Sequence, residues 1–221
     1  MEQVITIKAI KRLTHNVKRF QCEKPEGYYF VPGQATEVSI NKEGWIEEKR
    51  PFTFTSLSDS PNLEFTIKIY SDHPGVTNEL DTLVPGDELL VRDVWGAIEY
   101  KGPGYFIAGG AGITPFIAIL RQLKRENKLN GNRLLFSNRT DQDIILEEEL
   151  SSMLGKNAVY IITDERSKKY YNGFINEQFI KENIEDFSKH FYLCGPPKMV
   201  EDIQDCLTRL GASPEALVFE R

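Results

Sequence analysis

The chain has 221 residues, 40% of them hydrophobic and 27% charged, which is enough apolar material for two domain cores and too much for a disordered chain. Its formal net charge of −6 comes without the long Lys/Arg run that marks nucleic-acid binding. No apolar stretch approaches the ~18 residues of a spanning helix, and the charged, alternating start MEQVITIKAIKR does not read as a signal peptide, so a cytoplasmic protein with no membrane partner is expected.

The first hundred residues read as short strands. Val4-Ile5-Thr6-Ile7, Ala35 to Ile40 and Leu63 to Ile69 alternate in polarity, with turn signals at Pro32-Gly33, Ser60-Pro61-Asn62 and Pro85-Gly86 between them. This spacing suggests an antiparallel barrel or sandwich over residues 1–100, interrupted by one short helix from Gly75 to about Leu83. Arg50-Pro51-Phe52-Thr53-Phe54-Thr55-Ser56 sets Arg50, Phe52 and Phe54 on one face of a strand and Thr53 and Thr55 on the other. Read alone, that is an edge strand with aromatic core residues and a solvated arginine. The helix start Gly75-Val76-Thr77 adds a second reading, in which a guanidinium and a helix N-terminus clamp a pyrophosphate.

After Lys101-Gly102-Pro103-Gly104 the rhythm becomes strand–helix alternation, which predicts a parallel α/β sheet over residues 101–221. Strands are expected at 105–108, 133–137, 158–162, 191–194 and 217–219. Helices are expected near 116–126, 147–153, 176–183 and 198–210. Gly109-Gly110-Ala111-Gly112-Ile113-Thr114-Pro115 follows the first of these strands and opens a helix. Glycines there let backbone approach a pyrophosphate, and the helix start offers unpaired N–H groups. Phe191 to Cys194, followed by Gly195-Pro196-Pro197, repeats the geometry at the fourth strand and brings Cys194 to the rim that carries Thr114. Cys194 alone reads equally as a small buried hydrophobe. With Cys22 and Cys206 it forms no disulfide, zinc or iron–sulfur pattern.

In this order, the R-x-[YF]-[ST] strand, the G-G-x-G-x-T-P loop and the C-G-P-P-x-M turn make the whole chain resemble the ferredoxin–NADP reductase superfamily, most closely its compact NADH-cytochrome and flavodoxin reductases. The resemblance implies a flavin-binding antiparallel β-barrel followed by an NAD(P)-binding α/β domain. It implies FAD as cofactor, with NADH or NADPH as substrate. By the same resemblance Arg50 pairs with the flavin phosphate, Phe52 stacks on the isoalloxazine ring and Thr53 lies near flavin N5. Thr66 and Lys68 run along the polar edge of the ring, and Gly75, Val76 and Thr77 bind pyrophosphate. Gly110, Gly112 and Thr114 form the nicotinamide-nucleotide loop, and Cys194, Gly195 and Pro196 the turn beneath the nicotinamide. Glu220 assists at the active site and Phe219 shields the flavin. Thr53, Cys194 and Glu220 are thus the expected catalytic residues. Phe52 stands where a tyrosine is commoner, and no iron–sulfur cysteines are appended.

The implied activity is hydride transfer from NAD(P)H to FAD, followed by electron delivery to a small protein acceptor such as a flavodoxin, ferredoxin or cytochrome, by a monomer. The alternative is an electron-transfer subunit of a larger complex with little activity alone. Asp164 and Glu165, after the third strand of the second half, favour NADH, whereas Arg139, Arg166, Lys168 and Lys169 leave room for a 2′-phosphate.

Overall fold

The computed structural model describes residues 2–72, 74–96 and 98–219. The first unit comprises β1 (Gln3–Thr14), β2 (Val17–Glu23), β3 (Ala35–Ile40), β4 (Arg50–Thr53), β5 (Asn62–Lys68), the one-turn helix α1 (Val76–Glu79) with a 3-10 turn behind it, and β6 (Glu88–Trp95). The strands pair antiparallel in the order β4-β3-β6-β1-β2-β5. A bridge from Phe54 to Phe65 joins the two outermost strands and closes the sheet. Side chains that alternate inward meet at the axis. Phe20, Phe54 and Phe65 are fully buried, and Phe30 stacks on Phe54 with ring centres 4.1 Å apart. Each such ring removes enough apolar surface from water to stabilise the unit by roughly 1.5–3 kcal/mol.

The second unit runs β7 (Gly104–Gly109), α2 (Thr114–Arg125), β8 (Arg133–Asn138), α3 (Glu147–Leu154), β9 (Ala158–Ile162), β10 (Tyr171–Asn172), α4 (Glu177–Asn183), β11 (His190–Cys194), α5 (Pro197–Arg209) and β12 (Leu217–Phe219). All pairings are parallel, in the order β10-β9-β8-β7-β11-β12. All six residues of β7 are buried. Phe106 and Ala108 face the apolar side of α2, while Tyr105 and Ile107 face the side of α4 and α5. The antiparallel barrel and the parallel α/β sheet expected from the sequence are both present.

The chain winds outward from β7 in one direction through β8, β9 and β10, and in the other through β11 and β12. The loops after β7 and β11 therefore part at the centre of the sheet, where open α/β sheets leave a crevice for ligands. The two units are tied together at the connection. Tyr192 Oη donates to the Gly102 carbonyl at 2.7 Å and accepts from the Lys101 and Gly102 N–H groups at 2.9 and 3.0 Å. Val17 and Ile98, from the first hundred residues, are buried in the same cluster as Phe106 and Phe116.

Candidate active site

A cleft of about 1130 Å³ opens between the two units, with walls from both. On the barrel side it is lined by Phe52 and Thr53 of β4, Thr66 and Lys68 of β5, and Thr77 of α1. The opposite wall is formed by Gly110, Gly112 and Thr114 after β7, and by Cys194, Gly195 and Pro196 after β11. Eleven of the residues singled out in the sequence thus face one cavity.

The nucleotide-side wall is made of backbone. Gly110 has a φ of +52°, which favours glycine. A Cβ on Gly112 would lie 2.2 Å from the Cys194 carbonyl oxygen, so only glycine lets the two loops touch. Behind them α2 and α5 begin without a side-chain cap, each with proline in its first turn. The Thr114 N–H is already taken by the Ala111 carbonyl, so what the two helix starts offer an anion is chiefly the positive end of their dipoles. Thr114 Oγ1 donates to the Ala111 carbonyl at 3.0 Å and fixes the turn.

Four expected residues stand elsewhere. Arg50 heads β4 but lies exposed beside the cleft, donating to the Lys49 carbonyl at 2.7 Å and lying 3.8 Å from Glu48. Gly75 has extended backbone at φ 176° and α1 is one turn long, so the expected helix-start site reduces to Thr77. Val76 is buried in the barrel core, because its side chain faces inward while the next one faces the cleft. Phe219, expected to shield the flavin, is not among the residues lining the cleft. Along β12, residues 217 and 219 point to one face, and Phe219 packs against the cluster containing Ile203 and Leu193, not the cleft. Glu220 lies outside the described residues.

The cleft also uses residues the motifs did not mark. Tyr70 lies just past β5, with the Lys68 ammonium 5.8 Å from its ring centre. Phe174, 68% exposed, stands over the far end. An aromatic beside a glycine, two residues before the Asn176 cap of α4, was the available signal. Asn138, at the carboxyl end of β8, is 4% exposed and lines the cleft. Neither its amide nitrogen nor its amide oxygen has a partner. A buried amide left unpaired costs about 1–3 kcal/mol, so this donor and acceptor suit a polar ligand. Uncapped helix starts, a glycine wall, an orphaned amide and aromatic faces on both sides fit a flavin and a nicotinamide nucleotide laid against each other.

The thiols differ in setting. Burial pushes the Cys22 thiol up to about 12, and burial also raises Cys206. Cys22 lies in the barrel core, whereas Cys194, half-buried, and the more deeply buried Cys206 both line the cleft.

The model of the oxidoreductase NAD-binding domain family matches residues 106–205. NADH-cytochrome b5 reductase 1 of Bos taurus is 30% identical across 92% of this chain and 80% of its own length. NADH-cytochrome b5 reductase 1 of Aspergillus terreus is 30% identical across 95% of this chain and 78% of its own. The fold matches the FAD/NAD binding domain of nitric oxide dioxygenase from Vibrio cholerae, with a TM-score of 0.88 at 21% identity over 99% of this chain and 97% of that one. It matches a ferredoxin NADP+ reductase from Neisseria gonorrhoeae, solved with FAD and NADP, with a TM-score of 0.87 at 20% identity over 99% and 98%. The chain belongs to the NADH-cytochrome b5 reductase family, within the ferredoxin–NADP reductase-like flavoproteins, and is an FAD-dependent NAD(P)H oxidoreductase that hands electrons to a further acceptor.

Proposed function

We propose that the chain oxidises NADH in preference to NADPH, holds FAD against the barrel wall, and passes electrons singly to a small electron-carrying protein such as a cytochrome b5. The observation that carries this reading is the facing of Phe52, Thr53 and Thr66 against Gly112, Thr114 and Cys194 across one cleft. When bound, the flavin supplies acceptance of two electrons together and their release one at a time. The protein supplies alignment and exclusion of water.

In this reading Phe52 offers a ring face for stacking, with Thr53, Thr66 and Lys68 as polar partners along the ring edge. Thr77 and the exposed Arg50 take the phosphates. Gly110, Gly112 and Thr114 receive the nucleotide at the start of α2, and Phe174 offers a face to its adenine. Cys194, Gly195 and Pro196 support the nicotinamide, and Cys194 tunes transfer without acting as a nucleophile. Both walls come from one chain, which supports a monomer. Cys22, Cys194 and Cys206, none of them in a disulfide, suit the reducing cytosol.

The test is anaerobic stopped-flow reduction of the purified yellow protein by NADH, followed by re-oxidation with cytochrome b5, ferredoxin or flavodoxin. Reduction by NADH and turnover with one of these acceptors are expected. Cys194→Ser should slow reduction while leaving FAD bound. A flavin that NADH leaves oxidised would overturn the reading.

A further inference from the structure

We propose that Arg121 is a positioning residue that sets the spacing of the two cleft walls for hydride transfer; the proposal rests on the function just given. Arg121 follows Thr114 by seven residues on α2, so the two share one face of the helix, about 10 Å apart along its axis. The helix that presents Thr114 to the cleft therefore presents Arg121 to the barrel.

Every nitrogen of its guanidinium is engaged. Nε and Nη2 donate to the two carboxylate oxygens of Glu149 on α3, at 2.6 and 2.9 Å. Nη1 donates across the junction to the Thr55 carbonyl and to Glu64 Oε1, both at 2.6 Å. Thr55 Oγ1 donates in turn to Glu64 Oε1 at 2.9 Å and lies 3.3 Å from Thr66 Oγ1. Thr55, Glu64 and Thr66 are all buried. Thr55 stands two residues beyond Thr53, and Glu64 two before Thr66, so the barrel atoms that Arg121 grips belong to the two segments that form the flavin wall. Arg19 Nε, 3.7 Å from Glu64 Oε2, gives the cluster two cations for two carboxylates.

Such a cluster is a poor device for stability alone, because the desolvation of buried charges roughly offsets their attraction. Its distinctive property is geometry. A planar fork with five directed donors fixes α2 relative to two strands at once, which neither a lysine nor an apolar contact does. Hydride transfer needs that rigidity, since the reacting atoms must lie about 3–3.5 Å apart and the two partners sit on different units. Among the described residues, other polar contacts that cross the junction include Arg125 to Asp59 at 2.6 Å, His15 to Asp143 at 3.7 Å and the Tyr100 hydroxyl to the Asn132 amide at 3.3–3.4 Å. Arg125 and Asp59 are both well exposed, which makes that pair a natural control.

The experiment compares Arg121→Lys, Arg121→Met and Glu64→Gln with Asp59→Asn as FAD-loaded protein. Measured are the flavin reduction rate at saturating NADH, the NADH Kd, the long-wavelength charge-transfer absorbance of the nicotinamide–flavin pair, FAD content and Tm. The Arg121 and Glu64 variants are expected to keep FAD and bind NADH within about threefold of wild type, while reduction slows about 10- to 100-fold, as a displacement near 1 Å produces. Their charge-transfer band should weaken, and Asp59→Asn should match wild type. Should Arg121→Met fail to fold, Arg121→Lys and Glu64→Gln carry the test. Variants that lose only Tm, with wild-type reduction rate and band, overturn the positioning role and leave the function intact. A wild-type flavin that NADH does not reduce overturns the function itself, and with it this role.

Discussion

Arg139 Nε lies 2.6 Å from the Asp164 carboxylate, joining the chain just past β8 to the chain just past β9 at the outer end of the cleft. Hydrogen bonds from Thr163 and Arg139 hold the Asp164 carboxyl below the ordinary range, so it is charged throughout the physiological range. The one cation of this pair is already neutralised, and a 2′-phosphate would meet a carboxylate beside it. NADH should therefore give the higher kcat/KM. Asp164→Ser frees Arg139 and should narrow the preference about tenfold, the worth of one charge-assisted hydrogen bond. Steady-state kinetics with both nucleotides and one dye check this, and a wild-type preference for NADPH would reverse it.

Asn138 carries a cost in the free protein and a benefit in the complex. Asn138→Leu removes a buried amide without a partner, so the ligand-free protein should gain about 1–2 kcal/mol. The same change should raise KM for NADH about tenfold, with FAD content unchanged. Thermal melts with and without nucleotide report both effects. A lower Tm with an unaltered KM would show that the amide serves packing instead.

Acid should loosen the junction between the units. Burial opposes ionisation of Glu149 more than any other single influence, but the hydrogen bonds from Arg121 together with the charges of Arg121, Arg19 and Lys124 outweigh it and hold its carboxyl below the usual range. A carboxyl lowered on folding gives stability that is complete above its unfolded value, about 4.3, and is lost as pH falls through the folded one. Wild type should thus lose Tm steeply below about pH 4. Glu149→Gln should lower Tm at pH 7, by the equivalent of about 1–3 kcal/mol, and flatten that acid limb. Urea melts across pH 3–7 measure the difference, and parallel curves for the two proteins would remove Glu149 from the account.

The second unit was legible in the sequence nearly to the residue. Glycine turns and helix-opening prolines punctuate it, and the strands at 158–162 and 217–219 have the expected bounds. In the barrel, β2 and β6 escaped notice. In β6, Leu89, Leu90 and Val91 are buried in succession, just before the register shift against β3 between Val91 and Val94, so the alternation that reveals a half-exposed strand is missing. At the site, the glycine loops that line the cleft were readable, because loop geometry is local. Arg50, Val76 and Phe219 were not, since the face each side chain takes depends on what packs against its strand or helix. Arg121 gave no signal, because a lone arginine on an amphipathic helix looks like any solvated one until the barrel is placed against it.

The bridge between Phe54 and Phe65 has a consequence for the behaviour of the protein in a crowded solution. It pairs backbone just past β4 with the middle of β5, at what would otherwise be the two edges of the sheet. The parallel sheet ends in rungs of two residues at β10 and three at β12, too short to template an incoming chain. Strand addition at β4 or β5 requires this seam to part, so conditions that loosen it should raise the tendency to aggregate.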